Sequence, residues 1–323
     1  MTISAADLVG VCERASTLGE RLSPRFVPGP AHDHNGALVS RRLDRWCENA
    51  AGGDWARFTV RLAADGWDLE RVRQRLGSVR LAAREPLPAW VDTLAMVLRQ
   101  IESGGRASAE TVFDPFLTVA RDRLAHVASG DGRLLSPHAV EQLDAFLERR
   151  LSDTAAAVLS LKFDAFRAVR YPLVEMPVTY QADDPASRQF RDGLMSGAWV
   201  TVLREFPVLA RLLSTLIDSW VDFVSSFLGW LVHDLSSIQD MFAAPGRALT
   251  SVVDVRPGLS DPHCGGRTVM RLTFDSGLAL FFKPRNLEME RTWYALLAWL
   301  NDHGFSPRFT SLKVLSRDEY GWM

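Results

Sequence analysis

Lysine is nearly missing from this chain. Of 37 basic residues in the 323, only Lys162, Lys283 and Lys313 are lysine, which leaves 34 arginines. A lysine kept in so arginine-rich a chain marks a place that wants a compact point charge. Cysteine is also scarce. Cys12, Cys47 and Cys264 are too few and too scattered for a disulfide framework or a zinc knuckle, and they fit a reducing cytoplasm. No charge of one sign dominates: the net charge is −2 and the pI about 6.4, so the basic footprint of a nucleic-acid partner is absent. The opening residues have neither a basic stretch nor a continuous apolar core, which excludes a secretory signal. The most apolar run, Leu209 to Leu235, is interrupted by Asp218, Asp222 and His233, so it predicts no membrane span. Internal repeats and low-complexity tracts are lacking.

What is present is an ordinary globular composition, 47% apolar and 24% charged with a mean hydropathy of −0.02, at a length suited to two or three domains. The first half reads as helix after helix. Ser4 with Asp7 three residues on is a helix cap. Trp55, Phe58 and Leu62 form one apolar stripe, and Trp90, Leu94, Leu98 and Ile101 another. Ser136-Pro137 opens a further helix through Val140, Leu143, Leu147 and Leu151. Gly104-Gly105 and Gly130-Asp131-Gly132 are breaks. Proline and aspartate between Tyr171 and Arg188 predict a connecting loop. From Pro207 a long helical stripe runs to Ile238, with Gly229 as a candidate bend.

After Pro245-Gly246 the apolar period falls to two. Val253 and Val255 alternate with polar neighbours, Asp275-Ser276-Gly277 is turn chemistry, and the flanking runs read as a β-hairpin. Trp293, Leu296, Leu297 and Leu300 put one apolar face on a helix from Glu288, and Ser311 to Leu315 reads as a last strand. The predicted fold class is α+β: a large helical region at 1–170, a linker at 171–190, a long helical segment at 191–245 and a small lobe at 246–323.

The chemistry concentrates between Val252 and Glu290. A loop with Gly258, Gly265 and Gly266 between two strands can bring backbone N–H groups close to phosphate oxygens. Lys283 closes an apolar strand, and a helix with Glu288 and Glu290 follows at once. Strand, glycine loop, strand, turn, strand with lysine, helix with glutamate is the order of parts in the small lobe of a kinase-like fold. The loop matches neither the kinase glycine spacing nor a Walker A motif. Asp261, His263 and Cys264 could also be read as metal ligands, although three within four residues are crowded and have no distant fourth partner.

Several motifs resemble the N-terminal dehydratase region of class II lanthipeptide synthetases. They are Gly258-Leu259-Ser260-Asp261-Pro262-His263 with Gly265-Gly266-Arg267-Thr268-Val269, then Phe282-Lys283-Pro284-Arg285-Asn286-Leu287, and finally Asp318, Tyr320, Gly321 and Trp322. The helices at 141–166 and 206–220 are similar too. The resemblance implies a cytoplasmic, kinase-like protein that uses ATP and magnesium to phosphorylate Ser and Thr of a ribosomal precursor peptide and then eliminates the phosphate. By that likeness Asp261, His263 and Lys283 are catalytic. Gly265, Gly266, Arg267 and Lys283 contact the nucleotide, with Glu290, or else Glu288, holding the lysine. Asp261 and His263 could order the loop, relay a proton or position the peptide hydroxyl.

Two departures from the pattern stand out. Cys264 occupies a position where the family commonly has Asn, and it reads as a buried, inert thiol. The sequence stops at Trp322-Met323, about where a small lobe meets its hinge. The resemblance therefore places the magnesium ligands and the elimination residues outside it, and implies a separate C-terminal dehydratase/cyclase half as a partner. The alternative is a non-catalytic partner that binds peptide or a synthetase.

Overall fold

The structure, a computed structural model, describes residues 4–30, 35–104, 111–127, 134–170 and 184–323. It is an α+β protein with a two-stranded and a five-stranded antiparallel sheet. Contacts divide the chain into two compact units, each made of two separate segments. Met1–Val112 joins Val158–Ser214 in the first, and Phe113–Ala157 joins Thr215–Met323 in the second.

The first unit begins with α1 (Ala5–Arg14), whose Ser4 and Asp7 form the reciprocal capping box that the sequence predicts. Next come α2 (Leu18–Leu22), β1 (Phe26–Pro28), α3 (Gly36–Ala51), α4 (Trp55–Ala64), α5 (Leu69–Leu76), β2 (Val79–Leu81) and α6 (Ala89–Glu102). Leu43, Cys47, Phe58, Leu62, Val72 and Leu76 interlock as one buried cluster of α3, α4 and α5. The all-helical reading of this region is corrected by β1 and β2, which pair antiparallel from Phe26↔Leu81 to Pro28↔Val79. Three-residue strands are too short to show a period, so the helical texture around them hid the pairing.

α7 (Asp114–Val127) and the start of α8 (Pro137–Arg170) belong to the second unit. Ser136 Oγ accepts from the Ala139 N–H at 3.2 Å, as expected for a cap before Pro137. Gly104, at φ 84°, ends α6; Gly105 and the Gly130–Gly132 break lie outside the described residues. Most of the loop expected at 171–188 also lies outside them. Its last part is helix instead, because Asp184 caps α9 (Pro185–Gly193) by accepting from the N–H groups of Ala186 and Ser187. A π-helical turn at Leu194–Ala198 and α10 (Trp199–Glu205) lead to α11 (Pro207–Phe242), which runs unbroken through Gly229. By length and composition alone, α11 could cross a membrane. Its stripe of Leu213, Ile217, Val221, Phe227 and Leu231 is instead buried among the protein's own side chains.

β3 (Val252–Arg256), β4 (Met270–Phe274), β5 (Ala279–Lys283), α12 (Glu288–Asp302), β6 (Leu315–Ser316) and β7 (Gly321–Trp322) complete the second unit. The sheet order is β3-β4-β5-β7-β6, antiparallel throughout. The predicted hairpin at Asp275-Ser276-Gly277 is the β4–β5 turn. Four local readings are revised. A bulge between Val252 and Asp254 buries Val252 and leaves Val253 exposed. The final strand is Leu315–Ser316 rather than 311–315. A second short strand, β7, slots between β5 and β6. Within α12 only Leu297 is buried, while Trp293 and Leu296 are exposed.

Candidate functional site

One face of the sheet is closed by α11. Phe282 of β5 packs its ring against Phe227 at 5.3 Å, Trp230 at 5.9 Å and Trp322 at 4.9 Å. Beneath these rings lies Asp234, fully buried, which sequence reading passed over. Its Oδ1 accepts from Arg317 Nε at 2.9 Å and Nη2 at 2.7 Å, and its Oδ2 from Trp322 Nε1 at 2.9 Å. Burial, reinforced by the neighbouring Asp234 carboxylate, pushes the Tyr320 phenol up to about 12. The contact with Asp234 conversely raises Arg317. Every acceptor in this cluster has a donor, so it fastens the sheet's short last strands to α11.

Strand alternation sends Lys283 to the other face, away from Phe282. Its Nζ lies 3.8 Å from Glu290 Oε1, with both side chains about one-fifth exposed. The turn between them is held firmly. Asn286 Oδ1 accepts from the Glu288 N–H at 2.8 Å, its Nδ2 donates to the Arg317 carbonyl at 3.2 Å, and the Leu287 N–H donates to Ser316 Oγ at 3.2 Å. Glu290 thereby faces β5 from the first turn of α12. Of the two candidate glutamates, Glu288 is paired with Arg291 instead. Arg285, not singled out from sequence, also binds the Glu290 carboxylate, with Nη1 at 3.2 Å and a second contact through Nη2. Partial burial opposes ionisation of Glu290, but the Arg285 hydrogen bonds and the charges of Arg285 and Lys283 outweigh it and lower its pKa. Two cations around one carboxylate leave a surplus positive charge on this face.

The 258–268 loop extends the β3–β4 hairpin. Leu259 N–H donates to the Val269 carbonyl at 3.0 Å, His263 and Arg267 exchange backbone hydrogen bonds at 3.0 and 2.8 Å, and Gly266 N–H donates to the His263 carbonyl at 3.0 Å. Gly266, at φ 91°, sits so close to Arg150 that an added Cβ would lie 2.7 Å from Nη1. Arg267 lays its guanidinium 5.5 Å from the Trp230 ring. Gly266 and Arg267 are therefore engaged with α8 and α11, whereas Lys283 and Glu290 meet at the start of α12. Gly265, at φ 84°, makes the turn beside them. Asp261 and His263 are exposed, and their side chains do not pair with each other. The buried reading of Cys264 is corrected: it is exposed at φ 43°. This tight turn demands left-handed backbone there, a conformation that Asn adopts more readily than Cys. Asp261, His263 and Cys264 do not form a metal-holding cluster, nor does any group of three such residues among those described.

Residues 206–323 match the family described as a domain of unknown function, DUF4135. That family is associated with lanthipeptide synthetases. The DUF4135 match takes in α11, the whole five-stranded sheet, the glycine loop and the Lys283–Glu290 pair. No curated protein matches the chain.

Proposed function

We propose that residues 246–323 are the kinase-like small lobe of a lanthipeptide dehydratase. This lobe helps transfer the γ-phosphoryl group of ATP to Ser and Thr of a precursor peptide, ahead of phosphate elimination. The observation that carries this reading is the ion pair between Lys283, at the end of the third strand, and Glu290, on the helix that follows. In kinase-like sites such a pair holds the lysine where it offsets charge on the nucleotide phosphates. The glycine loop between the first two strands and the DUF4135 match support the same reading.

The residues fit ATP better than they fit magnesium. Lys283 supplies a cation and Glu290 orients it, while Arg285 shares the carboxylate. Gly265, Asp261 and His263 lie exposed on the loop, available to phosphate or to the peptide hydroxyl. The described residues gather no metal-holding cluster, so the reading assigns magnesium ligands to another segment or chain and routes no step through them.

The test is to incubate the purified chain with a cognate precursor peptide, ATP and magnesium, with and without a separately supplied C-terminal dehydratase half. Peptide mass then reports phosphate addition or water loss. We expect dehydration only with both parts present, abolished by Lys283→Met. Dehydration that survives Lys283→Met unchanged would contradict the assignment and favour a peptide- or synthetase-binding role.

A further inference from the structure

The N-terminal unit contains a cavity of about 440 Å³ lined in part by four arginines, Arg14, Arg21, Arg42 and Arg80, and by Glu13. Arg21 is only 7% exposed. Its Nη1 donates to the carbonyls of Gly77 at 2.6 Å and Arg75 at 3.4 Å, and its Nε to that of Ser16 at 3.3 Å. Arg42, half-buried, gives one hydrogen bond, from Nη1 to the Leu76 carbonyl at 2.6 Å. Both arginines thus satisfy carbonyls at the C-terminal end of α5, a structural task that uses part of each guanidinium.

Their charge is not balanced by that task. Among the described residues neither Arg21 nor Arg42 pairs with a carboxylate, and Arg21 Nη2 with the Nε–Nη2 edge of Arg42 has no acceptor. Burial, together with the charge of Arg42, brings Arg21 down to about 10. Glu13, the carboxylate on the wall, already accepts from the Leu81 N–H through Oε1 at 3.0 Å. Four arginines against one carboxylate among the described lining residues give the cavity a positive field that favours an anion.

We propose that this cavity binds a phosphate-class dianion, gripped by the free edges of Arg21 and Arg42. The excess of cations calls for a dianion, and guanidinium edges bond phosphate oxygens in pairs while a phosphate keeps both charges on one compact group. The volume falls in the range of small-molecule sites, so a phosphomonoester fits as well as free phosphate. This site is independent of Lys283.

Isothermal titration of the whole chain at low ionic strength tests it, with inorganic phosphate, O-phosphoserine and succinate as probes. Saturable binding of phosphate or O-phosphoserine is expected, and the tighter of the two identifies the source. Arg42→Gln should weaken it by at least about tenfold and Arg42→Lys, which keeps the charge but loses the fork, by about threefold. Should Arg42→Gln prove unfolded by circular dichroism, the Arg42→Lys result decides. The proposal is overturned if neither phosphate probe saturates by about 10 mM, if succinate binds as tightly, or if the folded Arg42 variant leaves binding unchanged.

Discussion

The second unit holds two cation–carboxylate clusters within one small sheet, and they are built to opposite ends. Asp234 is fully buried, and its oxygens are taken by Arg317 and Trp322. Glu290 is partly exposed and shared by Arg285 and Lys283, with a cation left over. The first arrangement has nothing to offer a ligand and much to lose if a member is removed. The second contributes little to folding, since partly solvated ion pairs are worth about 0–1 kcal/mol, and its surplus charge is open to an anion. Burial and completeness of pairing, rather than residue type, separate the structural cluster from the candidate site.

The comparison is broken most forcefully by Asp234→Ala. Removing the carboxylate strands the buried Trp322 N–H and unpairs Arg317, and we expect a loss of about 3 kcal/mol in urea denaturation. A loss below about 1 kcal/mol would show that the cluster does not fasten β7 to α11. Gly266→Ala should come next. At φ 91° and against Arg150 it is expected to cost about 1–2 kcal/mol, measured in the same way.

Titration sharpens the contrast without mutation. The Tyr320 pKa is raised above its unfolded value of about 10, so its contribution is complete below pH 10 and lost as pH climbs towards about 12. Glu290 is lowered below 4.5, so its contribution is present above that pH and lost as pH falls through the folded value. Stability measured against pH should lose its alkaline slope in Tyr320→Phe and part of its acid slope in Glu290→Gln. The smallest stability effect is expected from Lys283→Met, within about 1 kcal/mol of the parent chain.

Much of the fold was legible because periodicity and caps are local. Ser4 with Asp7, Ser136-Pro137, the α6 stripe and the Asp275-Ser276-Gly277 turn all act within a few residues. What escaped depends on distance or on backbone sign. Asp234 sits at the end of the apolar run on α11, between His233 and Leu235, and its partners lie 83 and 88 residues further on. β7 is two residues long and carries no period. The apolar spacing of α12 signals a helix but not that Trp293 and Leu296 stay exposed. Cys264 reads as a small apolar residue until the turn around it requires positive φ. At the candidate site, Lys283 and Glu290 could be named from strand-then-helix order. Arg285, two residues from Lys283, was visible in the sequence but became significant only once two of its side-chain contacts fell on the Glu290 carboxylate.

The scarcity of lysine makes the phosphate contact of Lys283 directly measurable. An acyl-phosphate derivative of ATP transfers its acyl group to a lysine amine lying beside the bound phosphates, and peptide mapping then reports which of Lys162, Lys283 and Lys313 is modified. Lys162 is paired with Glu205 at 2.7 Å, and Lys313 donates to the Met241 carbonyl at 2.6 Å, so neither is poised for phosphate. Labelling is expected at Lys283, suppressed by unmodified ATP and weakened by Glu290→Gln. Equal labelling of all three lysines, or labelling of Lys283 that ATP does not suppress, would contradict it.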